Sequence, residues 1–298
     1  MSSRPRRAAR RVKAAAARLR AAGSDDGLPT ASRGARPPER TVPSDRLWEL
    51  EDRYRGRFPL SPLSYGTVRD LADSVDHFGG LARASFDMKN LQRCWMVKAI
   101  LGNVEPGGRL VEIGAGEPLV ADVLSRLGHH VTVVDPYDGS GHGPREYESF
   151  RRSYPHLTFV RDRFPPSGEP VADAAAVYSI SVLEHVPAEA VGDVVAAATA
   201  ALGPGGCSIH AIDHVLAGWG ADSHLERLEA IVRAAGAPVA ELHELLGRLA
   251  SDPDAYFVSA EAHERWRGAL PYDRYPMRRI ASINLFARPG AALCSAAR

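Results

Sequence analysis

The chain has 298 residues, of which 45% are hydrophobic, and this length suffices for one large core or two smaller ones. Its net charge of +1 at pH 7 hides an asymmetry, because residues 1–40 carry eleven basic and three acidic residues (net +8) and the remainder carries 26 basic and 33 acidic residues (net −7). The acidic body is a poor surface for nucleic acid, and the lack of any run of about 18 apolar residues argues against a membrane span.

Residues 1–43 differ in composition from the rest of the chain. They are rich in Arg, Ala, Gly, Pro and Ser and lack apolar periodicity, so we expect a basic, disordered tail before a globular domain that spans 44–298. An arm that binds an anionic surface or nucleic acid is the alternative. That role would require an apolar face, which this segment barely has.

From residue 44 onward the pattern predicts helices and then alternating short strands and helices. The predicted helices cover 44–54, 65–75, 88–101, 119–127, 146–154, 188–202, 222–234 and 238–250. The predicted strands cover 109–113, 130–135, 157–161, 174–180, 207–213 and 280–287. This alternation is typical of an α/β fold, a Rossmann-like, mainly parallel sheet with helices on both faces. The first helices would form an N-terminal helical lid, and an insertion at about 214–279 would form a helical cap over the strand ends.

A glycine turn follows the first strand, which ends in VEIGAGEP. Gly114 and Gly116 permit a tight turn and close approach of the backbone to a ligand, although folds without cofactors use such turns too. The dinucleotide fingerprint requires a third glycine where Leu119 stands. Glu117 before the helix would repel a pyrophosphate. The turn therefore favours a cofactor without phosphates over a nicotinamide dinucleotide.

Two further predicted strands end in an acidic residue. Asp135 stands nineteen residues after Gly116, where a carboxylate can accept both hydroxyls of a ribose; capping a turn is its alternative role. Asp162, after the third strand, could read an exocyclic amino group such as that of adenine, or could be an ordinary surface-loop residue.

Five segments occur in an order and spacing that resemble class I S-adenosylmethionine (SAM)-dependent methyltransferases: VEIGAGEP, VVDP, the VRD strand end, SISVLEHVP and LGPGG. The resemblance covers about residues 88–214 and the last strand, INLFARP, and is to the bacterial small-molecule type. It implies SAM as cofactor and transfer of its methyl group by in-line displacement to the oxygen or nitrogen of a small molecule, in secondary metabolism. No metal is implied.

The resemblance also implies a cofactor role for ten residues. Glu112 would bridge to the SAM amino group, Asp135 would bind the ribose, and Asp162 would bind the adenine amino group. The implied set is Glu112, Gly114, Ala115, Gly116, Asp135, Pro136, Asp162, Arg163, Ser179 and Ile180. Two positions depart from the family pattern, since the family often has Asp at 112 and Gly at 118; neither departure removes the ribose or adenine contacts.

Histidines near the strand ends are candidates for a base, which methyl transfer needs only if the acceptor must lose a proton. His214 leaves the fifth predicted parallel strand where an acceptor should lie, and Asp213 could hold its tautomer. His185 is the second candidate, with a packing role as the alternative. His210 lies within the strand and is predicted to be a core residue.

Several alternatives stay open. A SAM-binding enzyme could catalyse a rearrangement, cyclisation or decarboxylation, a nucleic-acid methyltransferase could use the basic tail, and a regulator could sense SAM. The acidic body and the lack of an NPPY-like element count against the second. We expect a small-molecule partner, no nucleic acid and no membrane, with a monomer or homodimer undecided. The widely spaced Cys94, Cys207 and Cys294 favour a reducing, cytoplasmic compartment over a disulfide framework or zinc site.

Overall fold

The structure is a computed structural model that describes residues 41–84, 87–140, 143–168, 171–218, 220–258 and 277–289. The predicted tail at 1–43 lies outside these residues except for its last three positions. Two of the three, Thr41 and Val42, are buried. Arg126 donates from Nη2 to the Val42 carbonyl oxygen over 2.7 Å. Packing against the body therefore begins at least three residues before the predicted boundary.

The described residues contain eight α-helices, each within three residues of its predicted bounds. They are α1 (Leu47–Tyr54), α2 (Val68–His77), α3 (Asp87–Asn103), α4 (Leu119–Arg126), α5 (Tyr147–Ser153), α6 (Ala188–Ala200), α7 (Ala221–Ala234) and α8 (Val239–Ser251). None of these helices combines the length and apolar character needed to cross a membrane.

Seven strands form one sheet in the order β1-β7-β6-β5-β2-β3-β4. They are β1 (Leu63–Tyr65), β2 (Arg109–Ile113), β3 (His130–Val134), β4 (Thr158–Val160), β5 (Ala174–Ile180), β6 (Leu202–Gly218) and β7 (Met277–Ala287). The five adjacent strands β6, β5, β2, β3 and β4 run parallel to one another. β7 is antiparallel to both of its neighbours, β6 and β1. The predicted fold class, a mainly parallel Rossmann-like sheet with helices on both faces, is confirmed.

The start of α2 corrects the predicted helix at 65–75. Tyr65 belongs to β1, where it pairs with Ile283 of β7, and the helix begins only after Thr67. The Thr67 hydroxyl accepts from the Asp70 amide, and the Asp70 carboxylate accepts from the Thr67 amide over 2.9 Å. This reciprocal capping satisfies two amides that would otherwise lack partners, and it sets the start of the helix.

Strand β6 is longer than the predicted strand at 207–213, because it pairs with neighbours on both sides. β5 pairs along its first part, and β7 pairs with it from Ser208 to Gly218. The extra residues after 213 place His214 inside a paired strand and not in a loop. Successive residues of a strand point to opposite faces of the sheet, and this alternation decides the orientation of several predicted site residues.

Helix α3 packs on one face of the sheet, and the N-terminal helices predicted as a lid pack on α3. The buried Lys98 of α3 lies 2.6 Å from Asp73 Oδ2 of α2, and the Tyr54 hydroxyl of α1 donates to the same oxygen over 2.7 Å. The Lys98 ammonium also lies 5.7 Å from the ring centres of Tyr54 and Phe78. One charged cluster thus connects α1, α2 and α3.

The other face of β6 and β7 is covered by the helices predicted as a cap. Leu228 and Ile231 of α7 and Leu245 of α8 share a buried cluster with Ile212 of β6 and Ile283 of β7. These helices are therefore a layer of the fold against the sheet. Residues 259–276 of the predicted cap lie outside the described residues.

Candidate functional site

The glycine turn after β2 has the backbone conformation that its sequence predicts. Gly114 and Gly116 have φ of 64° and 58°, a region that glycine adopts readily. The Gly114 amide donates to the Val134 carbonyl oxygen over 2.9 Å, which ties the turn to β3. A Cβ at position 114 would lie 2.7 Å from Val182 Cγ2. Ala115, between the glycines, is half-buried.

Asp135 lies immediately past β3 and faces this turn. Its Oδ2 accepts from the Gly116 amide over 2.9 Å and its Oδ1 accepts from the Tyr137 amide over 2.8 Å. The carboxylate is buried, and burial raises its pKa although both amide hydrogen bonds act in the opposite direction. Pro136 follows, half-buried. The structure therefore brings the predicted ribose-binding carboxylate against the predicted glycine turn.

Glu112 is buried within β2, beside Tyr178 of β5. The Tyr178 hydroxyl donates to Glu112 Oε2 over 3.1 Å. Burial raises the pKa of Glu112 to about 7, although the Tyr178 hydrogen bond and the positive charge of Arg93 both lower it. Arg93 and the Tyr178 hydrogen bond thus offset only part of the effect that burial has on the pKa of Glu112.

Asp162 follows β4, as predicted, and its carboxylate is used within its own loop. Oδ2 accepts from the Ser167 hydroxyl over 2.6 Å and the Ser167 amide over 2.7 Å, and Oδ1 accepts from the Arg163 amide over 2.7 Å. The Ser167 hydrogen bonds lower the Asp162 pKa. Arg163 extends to Asp138, 3.6 Å from its carboxylate, and joins the loops after β3 and β4. An adenine-binding role for Asp162 stays a prediction.

Ser179 and Ile180 form the end of β5. The Ser179 hydroxyl lies 2.8 Å from His210 Nδ1, whose other nitrogen lies 2.6 Å from the Ser208 hydroxyl. His210 is buried in the core, as predicted, and burial lowers its pKa to about 4. The Ser179 side chain is therefore buried against His210, so any cofactor contact would come from the Ser179 backbone. Ile180 packs, half-buried, against the core on the α3 face.

Asp213 and His214 do not form the predicted pair, because they lie on opposite faces of the sheet. Asp213 faces α3, where its Oδ1 accepts from Gln92 Nε2 over 2.7 Å. His214 is buried on the α7 face, and its Nδ1 has no hydrogen-bond partner among the described residues. Burial, together with the neighbouring His224, lowers the pKa of His214 to about 4.

Helix α3 contributes polar residues that sequence reasoning missed. Gln92 is buried, and the Ser181 hydroxyl lies 2.8 Å from Gln92 Oε1 and 2.9 Å from Asp213 Oδ1. Lys89 is close enough to Asp213 for that charge to act on its ammonium. Lys89, Gln92 and Arg93 have the spacing i, i+3, i+4, which places them on one face of the helix. The helix carries other polar residues, such as the buried Asn90 and Lys98, so no local signal in the sequence singled out this stripe.

Glu184, in the 3-10 turn after β5 (Leu183–His185), was also missed. Its side chain is only 3% exposed, and neither carboxylate oxygen has a hydrogen-bond partner among the described residues. The neighbouring His185 differs, since its side chain is 47% exposed; its Nε2 lies 4.0 Å from Glu184 Oε1. Of the three predicted catalytic residues, His185 is thus the one at the surface of this edge.

No protein-family model matches the chain. Over 157 residues it is 27% identical to a ubiquinone biosynthesis O-methyltransferase of Methylocella silvestris, covering 50% of this chain and 54% of that protein. The chain thus spans about half the length of the curated relative that it matches.

Solved structures with similar coordinates include methyltransferases. Geranyl diphosphate methyltransferase with GPP and sinefungin is 16% identical, with a TM-score of 0.43 over 86% of this chain and 95% of that one. A Burkholderia thailandensis 1,6-didemethyltoxoflavin-N1-methyltransferase is 18% identical, with a TM-score of 0.40 over 65% and 75%. The five sequence motifs of this chain indicate a resemblance to methyltransferases. The curated relative confirms that resemblance over half of the chain.

Proposed function

We propose that this chain is a SAM-dependent methyltransferase that acts on a small molecule. The observation that carries the proposal is the Asp135 carboxylate, held at the carboxyl end of β3 by the Gly116 amide. In an open α/β sheet, ligands bind at this edge, and an acidic residue after the second strand accepts ribose hydroxyls. Each carboxylate oxygen can accept more than one hydrogen bond, so Asp135 can bind a ribose while it holds the turn.

The residues present fit SAM. Gly114 allows Val182 to pack directly against the turn, where a Cβ would clash, and its positive φ permits the tight turn that family cofactor sites use. Glu112 and Asp135 have pKa values raised by burial, so a ligand that carries positive charge would stabilise their ionised forms. SAM supplies such charge on its ammonium and sulfonium groups. We assign the ammonium to Glu112, the ribose to Asp135 and the adenine side to Asp162 and Arg163.

When bound, the cofactor supplies an activated methyl group on a positively charged sulfur, so the protein need only align the acceptor and exclude water. We assign acceptor positioning to the edge formed by β5, β6 and α3. Asp213 acts there as a positioning residue, because it holds Gln92 and Ser181 in place. The acceptor class that we propose is a small molecule with a nucleophilic oxygen or nitrogen.

We assign the base, where the acceptor must lose a proton, to His185 in place of His214. A group whose conjugate acid has a pKa near 4 is a weak base at neutral pH, and His214 lies beneath α7. We expect His185→Gln to lower kcat by about 100-fold with an unchanged Kd for SAM, because general bases contribute roughly 10²–10⁴-fold. His214→Gln is the matched variant, and it should change kcat less than about threefold. Loss of turnover in His214→Gln alone would restore the sequence assignment.

A label-transfer experiment tests the proposed function. The full chain is incubated with SAM that carries a radiolabelled methyl group and, separately, with a bacterial metabolite extract, bulk transfer RNA and total protein. We expect label in the metabolite fraction only, and none when Asp135→Ala replaces the wild type. Label in RNA or protein, or label transfer that Asp135→Ala leaves unchanged, would contradict the proposal.

A further inference from the structure

The carboxyl edge of the sheet holds more acidic than basic side chains. Glu112, Asp135 and Glu184 are buried there, and Asp213 is half-buried beside them. Helix α3 contributes the cations Lys89 and Arg93 to the same edge, and α7 contributes Arg227, whose Nη1 donates to the Glu184 carbonyl oxygen. A ligand at this edge would therefore be bound more favourably if it carried positive charge.

Among these acids, Glu184 has the fewest hydrogen bonds to its carboxylate within the part of the chain that the structure describes. Both of its carboxylate oxygens are buried without a hydrogen bond of normal geometry from any described residue, and the backbone amides of Glu184 and Asp213 stabilise the charge only in part. A buried carboxylate that is so weakly hydrogen-bonded costs free energy, and stability of the fold gives no reason to retain one. Its position relative to the glycine turn is fixed two residues earlier, where Val182 packs over Gly114. Glu184 thus belongs to the segment that borders the proposed cofactor turn.

The charged groups that face Glu184 come from three other parts of the fold. Lys89 on α3 stabilises its ionised form, whereas Asp213 on β6 destabilises it. His185 Nε2 lies 4.0 Å from Oε1, and Arg227 on α7 hydrogen-bonds only to the Glu184 backbone among the contacts described. Burial and Asp213 outweigh Lys89 and the backbone amides of Glu184 and Asp213, and they raise the pKa of Glu184 to about 8. The surroundings of Glu184 therefore disfavour its ionised form when no cationic ligand is present.

We propose, on the basis of the proposed function, that Glu184 selects the cationic methyl donor over its neutral product by placing a carboxylate on the sulfonium side of the cofactor site. SAM carries the sulfonium charge, and S-adenosylhomocysteine (SAH) has a neutral thioether in its place. The two molecules share the ammonium assigned to Glu112. We therefore assign the selection to Glu184, and it favours release of the product after transfer.

Calorimetric titration with SAM and with SAH at pH 6 to 8.5 tests this proposal. The ratio Kd(SAH)/Kd(SAM) should rise with pH by about tenfold in total and then level off, because SAM prefers the ionised Glu184. Glu184→Gln should make the ratio independent of pH and lower it by about tenfold at pH 8.5. Glu189→Gln, an exposed residue of α6, is the matched control and should behave as wild type.

A second measurement needs no variant. Titrations at pH 7 in buffers of different ionisation enthalpy should show that SAM releases more protons than SAH does, since SAM favours the ionised form of Glu184. Equal proton release for the two ligands, or a pH-dependent ratio that persists in Glu184→Gln, would overturn the role of Glu184 while SAM binding itself stands. Absence of SAM binding in the wild type would instead overturn the proposed function, and this inference with it.

Discussion

Replacing Asp135 by alanine is expected to weaken SAM binding by on the order of 100-fold or more. Hydrogen bonds to a charged group contribute about 1.5–3 kcal/mol each, and a ribose offers two hydroxyls to this carboxylate. Isothermal titration calorimetry on the full chain measures the loss. Asp193→Ala, an exposed aspartate of α6, is the matched control and should leave the Kd for SAM unchanged.

The same substitution also removes the acceptors for the Gly116 and Tyr137 amides. Some destabilisation is therefore expected, about 1–3 kcal/mol, and urea unfolding without ligand separates it from the loss of binding. Asp135→Asn keeps one carbonyl oxygen and should fall between wild type and Asp135→Ala in both measurements. A folded Asp135→Ala protein with the wild-type Kd for SAM would refute the assignment of the ribose site.

Replacing Asp73 by alanine is expected to lower the free energy of unfolding by about 3 kcal/mol. The change leaves the Lys98 ammonium, 1% exposed, without its carboxylate, and removal of one partner of a buried pair typically costs about 3–5 kcal/mol. The Tyr54 hydroxyl loses its acceptor as well. Urea unfolding followed by circular dichroism measures the difference.

Two companion variants identify the cause of this effect. Arg53→Ala removes an exposed partner of Asp73 and should cost less than about 1 kcal/mol. Lys98→Met removes the orphaned charge, so the double variant with Asp73→Ala should be more stable than Asp73→Ala alone. A double variant that is no more stable than Asp73→Ala would show that the buried ammonium is not the source of the destabilisation.

The Asp73 contribution also has a defined pH dependence. Burial alone would raise the pKa of Asp73, but hydrogen bonds from Lys98 and Tyr54 outweigh it and leave the pKa below its ordinary value. A carboxyl group with a lowered pKa in the folded state contributes stability above its unfolded pKa of about 4 and loses it as the pH falls further. The difference between wild type and Asp73→Ala should therefore shrink in acid.

The parallel part of the fold could be predicted because its strands are short apolar runs bounded by turn residues. β2 and β5 have the predicted bounds of 109–113 and 174–180. β1 was missed because it has only three residues and, among the described strands, pairs with β7 alone, more than 200 residues later in the chain. A strand that depends on so distant a partner has little local signal.

The site residues likewise differ in how much local sequence signal they have. Asp135 and the glycine turn are recognisable because each lies immediately after its strand, so sequence position places it at the carboxyl edge. Gln92 and Glu184 have their neighbours on other elements, such as Asp213, and no local pattern connects them. Asp213 and His214 cannot form a pair, because the period of two in a strand directs adjacent side chains to opposite faces.

Titration of the purified wild-type chain with SAM and, separately, with NADH tests the central claim most directly. The carboxylates of Glu112 and Asp135 at the glycine turn favour a cationic nucleoside and disfavour a pyrophosphate. We therefore predict saturable binding of SAM and no heat of binding for NADH. Binding of NADH without SAM, or binding of neither, would contradict the account of this edge as a methyl-donor site.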